Sequence, residues 1–285
     1  MRLVLFLLWC LRWLPPRRVA AMGRGLGSLL FHGGRKRVTL INLKTCFPDK
    51  TDAERERIGR GVFQNLGRAT LELGRLWYAP VELALEDVTL RDRQFMDEWR
   101  GHKPVIVLAP HFVGLDIGGA RFSREYPEAF SMYSEQKNKV FDQALRRARK
   151  RYSDATLITR QQGLRPVLKA LKDKKPFYYL PDMDFGAKDA VFVDFFGTKT
   201  ATVTAVSRLC GITGAKVVPL VTRQTETGYE ARFYPAWENF PSGDVEADAR
   251  RLNAFLEERI REMPDQYFWV HKRFKTRPPG QTSFY

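Results

Sequence analysis

Two residues with complementary acid–base chemistry, His111 and Asp116, stand five positions apart directly after an apolar run. A histidine can take a proton as a general base, and a nearby carboxylate can hold the imidazole in one tautomer and stabilise the imidazolium. On one continuous helix, five residues turn two side chains about 140° apart. We therefore expect a strand-to-helix turn between them, with His111 leaving the carboxyl end of a strand and Asp116 in the first helical turn.

The segment around His111 offers no serine or cysteine as a nucleophile beside the pair. The histidine would then activate a hydroxyl group of the substrate directly. Spacing alone supports a second interpretation equally well, in which His111 satisfies a buried turn and Asp116 is an acid at the start of a helix.

A second pair of acids, Asp182 and Asp184, directly follows the aromatic run 177–181. The Asp-x-Asp pattern is one by which many glycosyltransferases hold a divalent cation against a sugar nucleotide. Taken alone, this motif predicts a metal-dependent glycosyltransferase. A requirement for Mg²⁺ or Mn²⁺ distinguishes that function from metal-free chemistry at His111.

Short apolar or aromatic runs bounded by Pro or Gly predict the strands that must position these groups. The predicted strands are 104–109, 177–180 and 217–222, and 229–237 is a candidate antiparallel strand. Helical patterns lie near 140–151, 164–174, 200–210 and 246–262. This alternation predicts an α/β fold with a mixed, mostly parallel sheet flanked by helices, whose sites lie at the carboxyl ends of its strands.

A long amphipathic helix is predicted before the first of these strands. Thr51 and Glu54 have the spacing of a capping box at its start. Apolar residues then recur at helical spacing to about Trp77.

Composition bounds the class of protein. The chain has 285 residues and 44% hydrophobic residues, enough for a packed core. Its three cysteines match neither a disulfide framework nor a zinc pattern, which favours a reducing compartment. The net charge of +16 predicts attraction to a polyanion, which nucleic acid, anionic lipid or an acidic protein would satisfy.

The basic charge is concentrated in residues 1–48, which contain nine Lys or Arg and no acid. The apolar run 3–11 in this segment is too short to cross a bilayer, which needs about 20 residues. A signal peptide, a mitochondrial presequence or a hydrophobic helix packed on the domain are alternatives. We favour a membrane-attached hairpin formed with 19–31, with Trp9 and Trp13 at the headgroups.

We therefore divide the chain into a membrane-attachment segment, 1–48, and an α/β domain, 49–285. Charge gathered around an apolar N-terminus, without zinc-finger spacing or an aromatic RNA-binding pattern, argues against a non-enzymatic binder of nucleic acid.

Several motifs together resemble the late acyltransferases of lipid A synthesis, within the glycerolipid acyltransferase superfamily. They are His-x4-Asp at 111–116, PDMDFG at 181–186, the apolar groups at 191–193 and 195–197, and PDQYFWVHKRFKTRP at 264–278. The resemblance runs from about residue 1 to Tyr285, and its C-terminal motif is highly specific. Many members of that family carry Glu where this chain has Asp116.

The resemblance implies transfer of a fatty acyl chain from acyl carrier protein to a hydroxyl of a lipid A precursor. It places the protein on the cytoplasmic face of an anionic bacterial inner membrane and implies no metal or diffusible cofactor. His111 and Asp116 would be catalytic. The substrate-binding residues would be Arg160, Asp182, Asp184, Lys272, Arg273 and Lys275. A lysophospholipid or another glycolipid remains an alternative acceptor.

A cluster of basic residues at 146–151 has two interpretations. It is a docking patch for an acidic acyl carrier protein or, more commonly for such a run, a solvated helix face.

Overall fold

The computed structural model describes residues 1–153 and 156–285, which form eleven α-helices and nine β-strands. The helices are α1 (Arg2–Leu11), α2 (Pro16–Leu30), α3 (Arg35–Cys46), α4 (Asp52–Tyr78), α5 (Val81–Leu85), α6 (Gln94–Asp97), α7 (Leu115–Glu125), α8 (Lys139–Lys150), α9 (Arg165–Lys172), α10 (Ala205–Thr213) and α11 (Val245–Glu262). The strands are β1 (Val88–Arg91), β2 (Val105–Leu108), β3 (Phe130–Tyr133), β4 (Thr156–Thr159), β5 (Phe177–Tyr179), β6 (Ala190–Phe195), β7 (Thr198–Val203), β8 (Lys216–Gln224) and β9 (Tyr229–Phe233).

Seven strands form one sheet in the order β1-β9-β8-β2-β5-β3-β4. The pairs β8-β2, β2-β5, β5-β3 and β3-β4 are parallel, whereas β9 runs antiparallel to β8. The α/β class and the mostly parallel sheet predicted from sequence are therefore confirmed. The strand predicted at 229–237 is confirmed as the antiparallel β9.

Both faces of the central strand β2 are buried. Ile106 and Leu108 lie in a core with side chains of α9, α10 and α11, and Val105 and Val107 lie in a second core with side chains of α6 and α7. A strand covered on both faces has no polar alternation, which is why 104–109 is apolar throughout.

The helix predicted at 200–210 is wrong in its first part. Residues 198–203 form β7, which pairs with β6 in a separate two-stranded hairpin, and α10 begins only at Ala205. Four of the six residues of β7 are Thr or Val, three of them Thr, and their branched side chains favour a pleated strand. Gly197, at φ +74°, allows the tight turn into it.

The helix α4 has the predicted capping box, in which Thr51 accepts from the backbone of Glu54 and the Glu54 carboxylate accepts from the backbone of Thr51. Helices α1 and α2 pack against α4 at glycines. A Cβ added to Gly27 would lie 2.0 Å from the carbonyl oxygen of Phe63, and one added to Gly67 would lie 2.2 Å from that of Gly23. The backbones of α2 and α4 are therefore in direct contact.

The N-terminal segment forms two short helices with an exposed apolar surface, α1 and α2, followed by α3. Within the described ranges, no helix combines the length and the apolar content that crossing a bilayer requires. Exposed apolar side chains line the first two helices and their connection: Leu3, Val4, Phe6, Leu7, Trp9, Trp13, Leu14, Met22, Leu29 and Leu30. Helix α3 instead places Leu43 and Cys46 in the main core.

The glycine contact between α2 and α4 predicts a difference between two substitutions in one helix. Gly27→Ala should destabilise the fold by about 1–3 kcal/mol, because the new methyl group must push the helices apart. Gly25→Ala has open space around its Cβ and should leave stability unchanged or raise it by up to about 1 kcal/mol through helix propensity. Thermal unfolding followed by circular dichroism measures both, and equal effects would contradict the close packing.

Candidate active site

His111 lies between the end of β2 at Leu108 and the start of α7 at Leu115, at the carboxyl edge of the sheet. The predicted strand-to-helix turn is therefore present. Asp116 lies in the first turn of α7, as expected.

The carboxylate that contacts the His111 ring belongs to Asp182. Its Oδ1 lies 2.7 Å from His111 Nδ1, and its Oδ2 accepts from the backbone N–H of His111 at 2.9 Å. Strands β2 and β5 are parallel neighbours, with Leu108 opposite Tyr179. His111 lies three positions after Leu108, and Asp182 lies three positions after Tyr179. The strand register therefore brings the two side chains together.

Burial and charge oppose each other at Asp182, which is 1% exposed. Burial alone would raise the pKa of Asp182, but attraction to His111 and the hydrogen bonds from its ring and backbone lower that pKa below the usual value. An ionised Asp182 accepts a hydrogen bond from the Nδ1–H of His111. The unprotonated Nε2 is then left to accept a proton from a substrate. The His111 side chain remains 23% exposed, which gives a substrate access to it.

Asp116 has a different partner from the one expected. Its carboxylate accepts from Arg149 Nη2 of α8 at 2.9 Å, and no hydrogen bond within the described part of the chain joins it to His111. The expectation that Asp116 holds the imidazole is corrected. Asp116 of α7 faces α8, and Asp182, which follows β5, contacts the imidazole ring instead.

Asp184 is enclosed by protein donors. Its carboxylate accepts from the backbone and hydroxyl of Thr276 at 2.6 and 2.8 Å and from the backbone of Gly186 at 2.9 Å. Its own N–H donates to His271 Nε2 at 3.3 Å. Because Asp182 is likewise engaged, neither acid presents the free carboxylate that the glycosyltransferase interpretation needs.

Among the predicted substrate-binding cations, three are accessible. Arg160 follows β4 at the same carboxyl edge as His111, and its guanidinium lies 4.7 Å from the ring centroid of Phe185. Lys275 is exposed, and the half-buried Lys272 lies over the Tyr285 ring at 5.3 Å. These placements leave all three able to contact a bound anion.

Arg273 is placed differently, since only 2% of it is exposed. Its guanidinium donates to the carbonyl of Ala201 at 3.1 Å and lies 4.9 Å from the Phe195 ring centroid. The side chain joins the C-terminal segment to the β6-β7 hairpin, and this burial removes it from the surface where a headgroup would bind. The sequence gives it the same basic character as its neighbours but does not show its burial.

The segment 264–278 reaches the histidine itself. Phe112 and Tyr267 form an antiparallel bridge, and the backbone N–H of Phe268 donates to the carbonyl of His111 at 3.1 Å. The sequence prediction named the cations of this motif as substrate-binding residues and gave Tyr267 and Phe268 no role at His111.

Comparison with known proteins identifies the family of the chain. The sequence profile of the bacterial lipid A biosynthesis acyltransferase family matches residues 1–276. The chain belongs to this family. It is therefore an acyltransferase.

Three relatives within the family come from Escherichia coli (strain K12). A lipid A biosynthesis lauroyltransferase is 30% identical over 98% of this chain and 92% of its own length. A myristoyltransferase is 32% identical over 94% and 83%, and a palmitoleoyltransferase is 30% identical over 98% and 92%. These enzymes are named for different acyl chains at nearly equal identity, so overall similarity does not select the chain length here.

The Asp116–Arg149 ion pair predicts coupled effects on acyl transfer. Asp116→Asn and Arg149→Gln should lower activity by similar factors, and the double variant should be no worse than either, because each removes the same interaction. Lys139→Gln is the control, since it removes an exposed charge from the first turn of the same helix, at the end opposite Arg149. Additive losses in the double variant would instead show that Asp116 acts independently of Arg149.

Proposed function

We propose that the protein transfers a fatty acyl chain from acyl carrier protein to a hydroxyl of a lipid A precursor, on the cytoplasmic face of the bacterial inner membrane. Family membership and the activities for which the relatives are named support the acceptor. The observation that carries the chemistry is the 2.7 Å contact between His111 Nδ1 and the buried Asp182, with the imidazole open to solvent.

In the proposed reaction, His111 Nε2 takes the proton of the acceptor hydroxyl while the oxygen of that hydroxyl attacks the thioester carbonyl carbon. Asp182 stabilises the imidazolium that forms. The tetrahedral intermediate then collapses, the carbon–sulfur bond breaks, and the imidazolium returns its proton to the departing thiolate. The products are the new ester and the free thiol of the carrier protein.

The oxyanion of the tetrahedral intermediate needs donors placed around it. Gly114 stands at the start of α7, whose first turn has no side-chain cap. The N–H groups of Gly114 and Asp116 are candidates, whereas that of Leu115 donates to the carbonyl of Phe112 at 3.0 Å. Arg160 is a second candidate, as an oxyanion or phosphate contact, because it lies on the same edge of the sheet. Lys272 and Lys275 are proposed to contact the phosphates of the acceptor.

The end of α8 is the proposed docking patch for the acidic donor protein. Arg146, Arg147 and Lys150 are exposed there, whereas Arg149 pairs with Asp116 and Arg151 donates to the carbonyl of Leu76. Three exposed cations on one helix end suit the carboxylates of a carrier protein, and the adjoining Arg149 links this patch to α7.

The exposed apolar surface of α1 and α2 is proposed to lie in the membrane interface. The Arg12 guanidinium lies between the rings of Trp9 and Trp13, at 4.2 and 4.4 Å from their centroids. Aromatic rings with an arginine suit the headgroup region, and the leucines beside them suit the acyl region below it. The basic residues of 1–48 would add attraction to anionic lipid.

The first test is acyl transfer by purified, detergent-solubilised protein, using a panel of acyl carrier protein thioesters, a tetraacylated lipid A precursor and EDTA. The wild type should transfer. His111→Ala should lose about 10²–10⁴ in kcat through loss of the base. Asp182→Asn should lose about 10³–10⁴, because an amide donor at Nδ1 enforces the wrong tautomer.

Asp189→Asn is the matched control for Asp182→Asn, because Asp189 is an exposed carboxylate paired with Arg208. It should retain wild-type activity. Full activity of Asp182→Asn would refute the assigned pair. If the protein consumed a sugar nucleotide with Mg²⁺ or Mn²⁺, it would be a glycosyltransferase and the proposal would be wrong. If it transferred acyl groups only to a lysophospholipid or another glycolipid, the proposed acceptor would be wrong.

Membrane attachment has its own test. Replacing Phe6 and Leu7 by Ser should weaken binding to vesicles containing phosphatidylglycerol by tenfold or more, because each buried side chain of this size contributes about 1.5–3 kcal/mol. Ile212→Ser is the control, since Ile212 is equally exposed but lies on α10. Vesicle co-sedimentation measures the affinity, and unchanged binding of the double variant would contradict the assigned surface.

A further inference from the structure

The hydroxyl of Tyr267 contacts the same carboxylate that holds His111. It donates to Asp182 Oδ2 at 3.0 Å, and that oxygen also accepts from the backbone N–H of His111. The other oxygen, Oδ1, faces the His111 ring. Asp182 is therefore held at both oxygens, and Tyr267 supplies a side-chain donor from a part of the chain distant from His111.

The position of this hydroxyl is fixed by packing. Tyr267 is 1% exposed, and its ring meets those of Phe112 and Trp269 edge-on, with centroids 5.5 and 5.0 Å apart. The antiparallel bridge to Phe112 fixes its backbone. A donor held in this way limits rotation of the carboxylate that accepts from it.

The hydroxyl also stays protonated. Burial, and after it the negative charge of Asp182, raise the pKa of Tyr267 well above its usual value. Tyr267 therefore donates throughout the pH range in which a histidine base works. Each donor to a carboxylate withdraws part of its negative charge, which lowers the stabilisation available to a neighbouring imidazolium.

We propose that Tyr267 is a positioning residue for the histidine base. The Tyr267 hydroxyl fixes the rotation of the Asp182 carboxylate and withdraws part of the negative charge of that carboxylate. Both effects set how strongly His111 holds a proton. This inference rests on the proposed function of His111.

Other ionisable groups surround this cluster: His271, Asp184, Arg273, Lys275 and Cys46. Burial, together with Arg273, lowers the pKa of His271 to about 4, so His271 is neutral near pH 7. Burial raises the pKa of the Cys46 thiol well above its usual value, so this group is also neutral. Neither group changes charge where His111 would act as a base.

Tyr267→Phe removes the hydroxyl and keeps the ring. With one donor fewer, Asp182 should stabilise the imidazolium more strongly. The acid limb of kcat/KM should therefore move to higher pH by about 0.5–1 unit, with kcat at neutral pH lowered by about tenfold and KM unchanged. Tyr126→Phe is the matched control, because Tyr126 is equally buried and donates to Asp97 at 2.8 Å, away from His111.

A second variant tests the proposal if Tyr267→Phe fails to fold. Incorporation of 3-fluorotyrosine at position 267 strengthens the donor with almost no change in size, and it should move the acid limb to lower pH. In the Asp182→Asn background, Tyr267→Phe should cost less than about twofold, since its effect passes through the carboxylate. An unmoved acid limb in both 267 variants, or fully additive losses, would overturn the proposal.

Proton NMR gives a readout that does not depend on catalysis. The Nδ1 proton of His111, assigned by its loss in His111→Ala, should shift in Tyr267→Phe and stay in place in Tyr126→Phe. If the wild type transfers no acyl group to the lipid A precursor, the proposed function fails, whereas this resonance still decides the Tyr267 contact. An unchanged resonance in Tyr267→Phe would overturn the contact itself.

Discussion

The buried negative charge of Asp182 is the constraint on which the rest of the site depends. A carboxylate out of water is strongly unfavourable unless donors surround it. Here the donors come from two separate parts of the chain, the turn at His111 and the C-terminal segment at Tyr267. The same contacts that satisfy the charge also orient the imidazole, so stability and the geometry of the site have one physical origin.

The C-terminal segment packs against the His111 turn at the carboxyl edge of the sheet. It pairs with the backbone beside His111, and its carbonyls at Trp269 and His271 accept from the Asn42 side chain of α3 at 2.7 Å. Helix α3 directly follows the two helices that carry the exposed apolar surface. In the proposed function, this chain of contacts connects the histidine to the helices assigned to the membrane interface.

The two acids of the Asp-x-Asp motif show how one pattern serves different chemistry. Asp182 accepts from the histidine and tyrosine, and Asp184 accepts from the backbone and hydroxyl of Thr276. Both bind groups of the protein, and each fixes a different part of the C-terminal segment at the mouth of the site.

The sequence by itself determined the local features: the capped helix α4, the apolar strands β2, β5 and β8, and the place of His111 after a strand. Caps and apolar periodicity depend on neighbours in the chain, so a single sequence reveals them. The strands β1, β3 and β4 contain polar residues and so lack the continuous apolar or aromatic run that marks β2 and β5. Only the tertiary structure decided that Asp182 contacts His111, that Asp116 pairs with Arg149 and that Arg273 is buried. The His111–Asp182 contact joins residues 71 positions apart through the register of two parallel strands, which no local pattern records.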